Sequence, residues 1–367
     1  MRTRIQNVPM NDLSRGIRRD RLILTSAFEK VLDSGYLIMG PNHEALQHEL
    51  GDFLGVAHVL GVASGTDALE LAIKAVMPEG RNIVLTAANA GGYTTTAARR
   101  GGFAVEYVDV DQDTLCVSVA SCGSSLTPKV GVLVVTHLYG NFTNIAALVE
   151  LCHSRGIRVV EDCAQSIGAR RDGVASGSVG DISATSFYPT KNLGALGDGG
   201  AVMTNNDQYA ATASKLRQYG WSSKYKVSLS GGTNSRLDEL HAAFLRARLP
   251  QLDSFNIRRR HIVARYAAAA DQGPLNFLPA EGDHHAAHLA VARTTRREEI
   301  REALAEYGIQ TDVHFPIPDH YQLGFGAPNS ILPVTEKASA EVFSLPCFPE
   351  LSDEEIDQVC FAIETIT

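Results

Sequence analysis

The chain of 367 residues, 44% of them hydrophobic, is long enough to bury a large core and indicates roughly two domains. Its formal net charge of -8, with Lys and Arg scattered along the sequence, argues against nucleic acid or an anionic membrane as a partner. No stretch approaches the ~20 apolar residues of a membrane span, and the N-terminal sequence lacks the apolar centre of a signal peptide. We therefore expect a cytoplasmic protein.

Strand-like and helix-like segments alternate until about residue 205. The strand-like segments are NIVLT, FAVEYVDV, VGVLVVTHLYG, IRVVEDCA and DISATSF, and helical patterns such as NIAALVELCHSRG lie between them. This order predicts an α/β domain with a largely parallel, buried sheet. In such a sheet, ligands bind at the carboxyl ends of the strands.

The pattern changes after about residue 220. A long amphipathic helix, SRLDELHAAFLRARLPQLDSFNIRRRHIVARYAAA, is interrupted at Pro250. A shorter α+β segment follows, with HHAAHLAVART as a strand and RREEIREALAEYG as a helix that ends at Gly308. We place the domain boundary at Pro250, which gives a large domain of residues 1–250 and a small C-terminal domain of residues 251–367.

The first candidate site is the turn Ser64-Gly65-Thr66, which opens a helix with an apolar face of Leu69, Ile73 and Val76. The amide N–H groups at a helix start, together with the Thr66 hydroxyl, suit a phosphate group. An ordinary helix cap gives the same pattern, so the turn alone leaves both interpretations open.

The second candidate is Asp162, which follows a strand so apolar that the carboxylate must lie near the buried end of the sheet. A buried carboxylate needs a partner, and a protonated heterocyclic nitrogen would serve as one. A structural salt bridge is the alternative.

The third candidate is Lys191, in the segment SFYPTKNLGALGDGG, which follows a strand and so lies at the same edge of the sheet. A lysine in a partly dry pocket has a lowered pKa and can form a Schiff base, whereas a lysine in a glycine-rich surface loop does not. A phosphate site, a buried aspartate and an amine together fit one ligand, pyridoxal 5'-phosphate.

A series of segments in a fixed order carries a resemblance to a known family: VLDSGYLIMGP, VASGTDALELAI, YVDVD, VTHLYGN, EDCAQSIGA, SFYPTKNLGALGDGGAVMTNN, GGTNSRLDELHAAFLRARL, GIQTDVHFPIPDHYQ and SLPCFPELSDEE. The chain resembles the DegT/DnrJ/EryC1/StrS family, the sugar aminotransferases among the fold type I pyridoxal-phosphate enzymes. The resemblance covers nearly the whole chain. It implies an α/β fold whose large domain has a mixed, mostly parallel sheet and whose smaller C-terminal domain is α+β.

The resemblance also implies roles for individual residues. Lys191 would carry the cofactor as a Schiff base, and Asp162 would pair with its pyridinium nitrogen. The remaining cofactor contacts implied are Gln165 with the ring hydroxyl, Gly65, Thr66 and Ser186 with the phosphate, and Asn234 with the phosphate of the neighbouring subunit's cofactor. The role of Asn234 implies a homodimer with its active sites at the subunit interface.

Relatives often carry an aromatic residue in a P-x-x-T-F-x-A-T segment to stack on the cofactor ring, whereas this chain has VLTAANAGGYTTTAA. Tyr93 is the candidate for that role, and packing within a loop is the alternative. Tyr188 and His320 are candidate substrate contacts, because the resemblance places them beside the lysine and in a segment that closes over the sugar.

The resemblance implies transfer of an amino group from L-glutamate to a nucleotide-linked keto-sugar by ping-pong kinetics. The KNLGALGDGG segment with Tyr188 favours a dTDP-3-keto-6-deoxyhexose, and a 4-keto sugar is the alternative. Some relatives are pyridoxamine-dependent sugar dehydratases with histidine in place of the lysine, and a sensory or regulatory member would lack Asp162 or Lys191. The presence of both residues favours a transaminase.

Metal and dinucleotide sites are the remaining alternatives. His284 and His288 in DHHAAH are four residues apart, but no Glu follows the first His and the surrounding pattern is that of a strand. The glycines of GALGDGG do not follow the G-x-G-x-x-G pattern of a dinucleotide site. The six cysteines form no CxxC pair, so we expect reduced thiols and no metal.

Overall fold

The structure, a computed structural model, describes residues 7–271, 273–326 and 330–366. Its strands are β1 (His58–Val62), β2 (Ile83–Ala87), β3 (Ala104–Val108), β4 (Val130–Thr136), β5 (Arg158–Asp162), β6 (Arg170–Arg171), β7 (Val174–Ala175), β8 (Ile182–Ser186), β9 (Gly200–Thr204), β10 (Trp221–Ser223), β11 (Lys226–Val227), β12 (Asn276–Phe277), β13 (Ala290–Arg293) and β14 (Val342–Leu345).

The helices alternate with these strands through the first half of the chain. They are α1 (Leu13–Ser34), α2 (Pro41–Leu54), α3 (Gly65–Val76), α4 (Tyr93–Arg100), α5 (Val119–Cys122), α6 (Ala146–Ser154), α7 (Asp207–Leu216), α8 (Glu239–Arg248), α9 (Leu252–Ala269), α10 (Arg297–Glu306), α11 (Pro333–Glu341) and α12 (Asp353–Ile366).

A seven-stranded sheet in the order β1-β9-β8-β5-β4-β2-β3 forms the centre of the fold. Within it β9 runs antiparallel to both of its neighbours, and the other strands are parallel to one another. The predicted strands at β2, β3, β4, β5 and β8 are therefore confirmed, and so is the α/β fold with a mixed, mostly parallel sheet. Their carboxyl ends meet at one edge, as the parallel arrangement requires.

Both faces of the central sheet are covered. Every residue of β4 is buried, because alternate side chains of that strand pack against different helices. One set joins a core with the apolar face of α3, and the other joins a core with α6. The predicted apolar face of α3 is confirmed, since Leu69, Ile73 and Val76 are all buried.

Three predicted elements are shorter than the sequence pattern suggested. The strand predicted through VGVLVVTHLYG ends at Thr136, and a single 3-10 turn at Leu138–Gly140 follows, with Tyr139 at a φ of 60°. The strand predicted through HHAAHLAVART is confined to β13. The helix predicted from Ser235 begins only at Glu239, because the residues before it pair with the chain after α7.

The predicted interruption at Pro250 is confirmed: α8 ends before it and α9 begins after it, with a 3-10 turn between them. The C-terminal segment contains a three-stranded antiparallel sheet, β12-β13-β14. Side chains of α9, β13, β14 and α12 form a separate core there. The division into domains of residues 1–250 and 251–367 stays a prediction.

Two composition-based expectations can be compared with the structure. The six cysteines, all buried, are unbridged, which agrees with the predicted reduced thiols. None of the helices in the described part of the chain has the length and apolar character needed to cross a bilayer.

Candidate active site

Lys191 lies in the loop that follows β8 at the carboxyl edge of the sheet. Its backbone N–H donates to the carbonyl oxygen of Tyr188 (2.8 Å), which makes a tight turn and fixes where the side chain begins. The side chain is half-buried. Burial lowers the pKa of the Lys191 amine, and the nearby Asp162 carboxylate only partly opposes this shift. Burial therefore makes the charged form of the amine less stable than it would be in water.

Asp162 is the last residue of β5, the strand that pairs with β8, and it is only 5% exposed. The Thr136 hydroxyl donates to Oδ2 (3.2 Å), and the Ala164 N–H donates to Oδ1 (3.1 Å). Burial raises the pKa of Asp162, against the effects of the Ala164 N–H and the Lys191 amine. A cation placed next to this carboxylate would lower that pKa, so the position suits a positively charged nitrogen.

Gln165 is buried three residues beyond the aspartate. Its Oε1 accepts from the Tyr139 N–H (2.5 Å), so the amide oxygen faces the loop after β4. The NH2 group of Gln165 is then the end that can donate to a ligand.

A close approach of three backbone segments forms the proposed phosphate cradle. A Cβ added at Gly65 would lie 2.6 Å from the Cβ of Ser186, and one added at Gly200 would lie 2.6 Å from the backbone of Ser64. Because neither glycine has a side chain, the end of β8, the start of β9 and the start of α3 can lie in close contact. Ser64 caps α3 by accepting from the Asp67 N–H (3.1 Å), which leaves the first amides of the helix for an anion.

A buried, hydrogen-bonded carboxylate supports Asp162 from the adjacent position. Glu161 accepts from His137 Nε2 (2.9 Å) and from the N–H groups of Gly177, Val179 and Gly180. Burial alone would raise the pKa of Glu161, but these hydrogen bonds lower it overall. The side chains of His137, Glu161 and Cys163 come within 4.8 Å of one another. The Glu161 carboxylate already accepts four hydrogen bonds, which leaves its oxygens less available to a metal ion. That this site binds no metal stays our prediction.

Asn192 fastens the lysine loop to distant segments of the chain. Its Nδ2 donates to Asn256 Oδ1 (2.7 Å) and to the Ala286 carbonyl oxygen (2.8 Å), and His288 Nδ1 donates to its Oδ1 (2.8 Å). Both hydrogens of its amide group and one lone pair of its oxygen are thus used within the protein. The loop that carries Lys191 therefore cannot shift without breaking buried hydrogen bonds.

The other predicted contacts lie around this centre. Tyr93 begins α4 and is 51% exposed, and Tyr188 is 50% exposed beside the lysine. Asn234 is exposed and bridges to Gln218. His320 is 1% exposed, with its Nε2 3.3 Å from Glu336 Oε1. The structure thus brings Gly65, Thr66, Asp162, Gln165, Ser186 and Lys191 to one edge, while His320 lies in a packed cluster of its own.

Comparison with known proteins gives a consistent match over the whole chain. Residues 21–364 match the model of the DegT/DnrJ/EryC1/StrS aminotransferase family. The chain belongs to the DegT/DnrJ/EryC1/StrS aminotransferase family. The resemblance inferred from the sequence is therefore confirmed.

Individual relatives and structures agree. The chain is 38% identical over 357 residues to the dTDP-3-amino-3,4,6-trideoxy-alpha-D-glucose transaminase of Micromonospora megalomicea subsp. nigra, covering 95% of this chain and 96% of that relative. It is similar to DesV of S. venezuelae, solved in complex with a ketimine intermediate (TM-score 0.94, 34% identity, 99% of each chain). It is also similar to NtdA of Bacillus subtilis with bound cofactor PMP (TM-score 0.92, 28% identity, 100% of this chain and 86% of that one).

Aminotransferases of this family depend on pyridoxal phosphate, and the residues of this chain fit that cofactor. Lys191 offers an amine for the aldehyde carbon, and Asp162 offers a buried carboxylate for the ring nitrogen. The cradle at Gly65 would be filled by any Cβ, as expected where a ligand must approach the backbone closely.

Several residues that shape the site were not predicted from the sequence. Asn192 is next to the lysine, but its three partners come from distant parts of the chain, so the sequence carried no signal for them. Gly200 closes the GDGG segment, and that run of glycines did signal a close backbone approach. His314 and Phe315, which approach the site from the C-terminal segment, lie within a quoted family segment but were given no role.

A buried carboxyl group fastens that C-terminal segment to the loop after β2. The Asp319 N–H donates to the Ala88 carbonyl oxygen (2.7 Å), and Asp319 Oδ2 accepts from the Thr95 hydroxyl (2.5 Å). Burial raises the pKa of Asp319 to about 6, against the hydrogen bonds from Thr95 and Gly92. Since the unfolded pKa is near 3.8, the folded state binds this proton more tightly, and stability is lost as the pH rises from about 4 to about 6.

Asp319→Asn removes the ionisation and should therefore stabilise the protein more at neutral than at acidic pH. We expect the difference in unfolding free energy, variant minus wild type, to grow by about 1 to 2 kcal/mol between pH 5 and pH 7.5. Urea unfolding of the holoenzyme at both pH values measures it. The exposed Asp52→Asn serves as control and should give a difference that does not change with pH. A flat or decreasing difference for Asp319→Asn would contradict the assignment.

Proposed function

We propose that this enzyme transfers the amino group of L-glutamate to the C3 carbonyl of a dTDP-linked 3-keto-6-deoxyhexose and so makes an amino-deoxysugar. The half-buried Lys191 in the loop after β8, together with the buried Asp162 at the end of the neighbouring strand β5, is the observation that carries the proposal. The named substrate class of the Micromonospora relative supports C3 as the position that receives the amine and dTDP as the carrier.

The chemistry divides between the cofactor and the protein. Bound pyridoxal phosphate supplies an electrophilic carbon and an electron-withdrawing ring that accepts the electron pair of a broken C–H bond. Lys191, whose charged form is disfavoured by burial, moves the proton at the donor's α-carbon. Asp162 keeps a positive charge on the ring nitrogen, and its fixed hydrogen bonds mean that no reorganisation is needed as charge develops.

Further residues hold and orient the cofactor in this proposal. The Gln165 NH2 group donates to the ring hydroxyl, since its Oε1 is already bound to Tyr139. Thr66, Ser186 and the first amides of α3 hold the phosphate. The Asn192 hydrogen bonds keep the lysine loop in place through both halves of the reaction.

Two residues are assigned to the sugar. Tyr188 suits a substrate contact, because its half-exposed side chain lies three residues before the lysine. The contact assigned to His320 stays a prediction, because in this protomer its side chain is buried against Tyr321, with ring centroids 4.1 Å apart. A 4-keto sugar is the second candidate substrate. The lysine amine favours transamination over the dehydratase alternative.

The substrate assignment is tested with glutamate and a panel of dTDP- and UDP-linked 3-keto and 4-keto sugars. We expect formation of 2-oxoglutarate with the dTDP-linked 3-keto sugar, with kcat/KM at least ~10-fold above that for the 4-keto sugars, because a misplaced carbonyl loses its alignment with the lysine. Reaction with 4-keto sugars alone would refute the regiochemistry. Loss of water from the sugar without oxoglutarate would indicate a dehydratase.

The proposed site also requires a second copy of the chain. Asn234 is exposed in one protomer, and we propose that it reaches the cofactor phosphate of the partner subunit. Its neighbour Ser235 donates to Asp67 in the first turn of α3 (2.8 Å), so the segment is rigidly held near its own phosphate cradle. In a two-fold symmetric dimer with the two cradles facing each other, Asn234 of each subunit would reach the cradle of the other subunit.

Subunit complementation tests this arrangement. In a purified heterodimer of Lys191→Ala and Asn234→Ala chains, one site receives an intact lysine and an intact asparagine, so we expect about half of the wild-type activity. The heterodimer of wild-type and Lys191→Ala chains is the control and should behave alike. If Asn234 served its own subunit, the mixed dimer would show no more than half of the activity of the Asn234→Ala homodimer.

A further inference from the structure

The loop between β2 and α4 lies at the carboxyl edge of the sheet but contains no aromatic residue. Its sequence is Ala88-Asn89-Ala90-Gly91-Gly92. The largest of these side chains, that of Asn89, donates to the Leu115 carbonyl oxygen (2.9 Å) and is buried in that interaction. The loop therefore offers no ring of its own to a planar ligand held between Lys191 and Asp162.

An aromatic ring from elsewhere occupies the volume above the loop. Gly91 has a φ of 78°, and a Cβ added there would lie 2.4 Å and 2.5 Å from Cδ1 and Cε1 of Phe315. These distances are far shorter than any allowed contact, so the Phe315 ring fills the place where a side chain at position 91 would begin. Position 91 favours glycine for two reasons: its backbone has a left-handed conformation, and the Phe315 ring leaves no room for a side chain.

Several contacts fix the position of Phe315. Its ring packs edge to face against Tyr93 (centroids 6.1 Å apart, 86° between planes) and against His314 (6.0 Å, 76°). The Asp319 N–H and side chain fasten the following residues to the loop after β2 and to α4. Phe315 itself has a φ of 63°, a conformation that costs a non-glycine residue energy and is found preferentially at functional sites.

His314, the residue before Phe315, is held by a hydrogen bond to the C-terminal sheet. The His314 Nδ1 is 2.9 Å from the Ser344 hydroxyl, which holds the imidazole inward. Burial lowers the pKa of His314, and the Lys191 amine adds to the shift while Asp312 opposes it. The contact of Phe315 with Gly91 and the hydrogen bond of the Asp319 N–H to the Ala88 carbonyl oxygen place the ring against the loop after β2, at the carboxyl edge of the sheet where the lysine loop also lies.

We propose that Phe315 is the aromatic wall against which the cofactor ring packs, in place of a ring from the loop after β2. The inference rests on the proposed function and changes one part of it, because it gives Phe315 the stacking role predicted for Tyr93. Tyr93 supports the Phe315 ring from its edge, and half of its own side chain faces solvent. The absence of a side chain at Gly91 makes room for the Phe315 ring, which comes from a distant part of the chain.

Binding of pyridoxamine phosphate, a form of the cofactor that makes no covalent bond to lysine, tests the proposal directly. We expect Phe315→Leu and Phe315→Met to raise the dissociation constant for pyridoxamine phosphate by roughly 10-fold, because each removes an aromatic stacking partner. Phe315→Tyr keeps the ring and should stay within about 3-fold of wild type. Phe325, a half-buried ring beside the neighbouring Gly92, provides the matched control: Phe325→Leu should stay within about 3-fold of wild type. Tyr93→Leu removes only the edge support of the Phe315 ring and should weaken binding less than Phe315→Leu does.

The melting temperature of each apoprotein separates a folding defect from a binding defect. A double-mutant comparison tests the geometry. Gly91→Ala should lower the melting temperature more in the wild-type background than in the Phe315→Leu background. The new Cβ clashes with the Phe315 ring only in the wild-type background, whereas the backbone strain at position 91 is present in both. Equal losses in the two backgrounds would overturn the assignment. So would unchanged cofactor affinity in both Phe315→Leu and Phe315→Met, or a greater loss in Tyr93→Leu. None of these outcomes would bear on whether the wild-type enzyme transfers amino groups.

Discussion

The burial of an amine and a carboxyl group at one edge of the sheet is the constraint on which the rest of the site depends. Lys191 lies in the loop after β8 and Asp162 at the end of the neighbouring strand β5, where burial disfavours the charge on each of them. Such an arrangement is costly for a protein unless a ligand uses it. The hydrogen bonds to Glu161 and the three side-chain hydrogen bonds of Asn192 hold these two groups in place.

The sequence predicted much of this architecture because the local patterns are strong. The apolar strands β4 and β5 alternate with helical segments, and that order alone fixes a parallel sheet and the edge where a ligand binds. Asp162 ends one such strand, and Lys191 lies in the loop that follows another. Their shared location therefore followed from topology, without knowledge of any side-chain contact.

Contacts between distant segments could not be predicted in this way. The strand pattern continues into His137 and Tyr139, although the chain turns away at that point so that the Tyr139 N–H can bind Gln165. The Asn192 network and the contact of Phe315 with Gly91 join parts of the chain whose proximity no local pattern records. Tyr93 was selected because it is the nearest ring in sequence, whereas the ring nearest to Gly91 in space comes from the C-terminal segment.

Borohydride reduction of the holoenzyme, followed by proteolysis and mass spectrometry, tests the central claim most directly. The account predicts the mass of the reduced cofactor on the peptide that contains Lys191, and no modification of that peptide in protein freed of cofactor beforehand. A cofactor mass on another lysine, such as Lys215, or on no peptide after pyridoxal phosphate has been supplied in excess, would contradict the account.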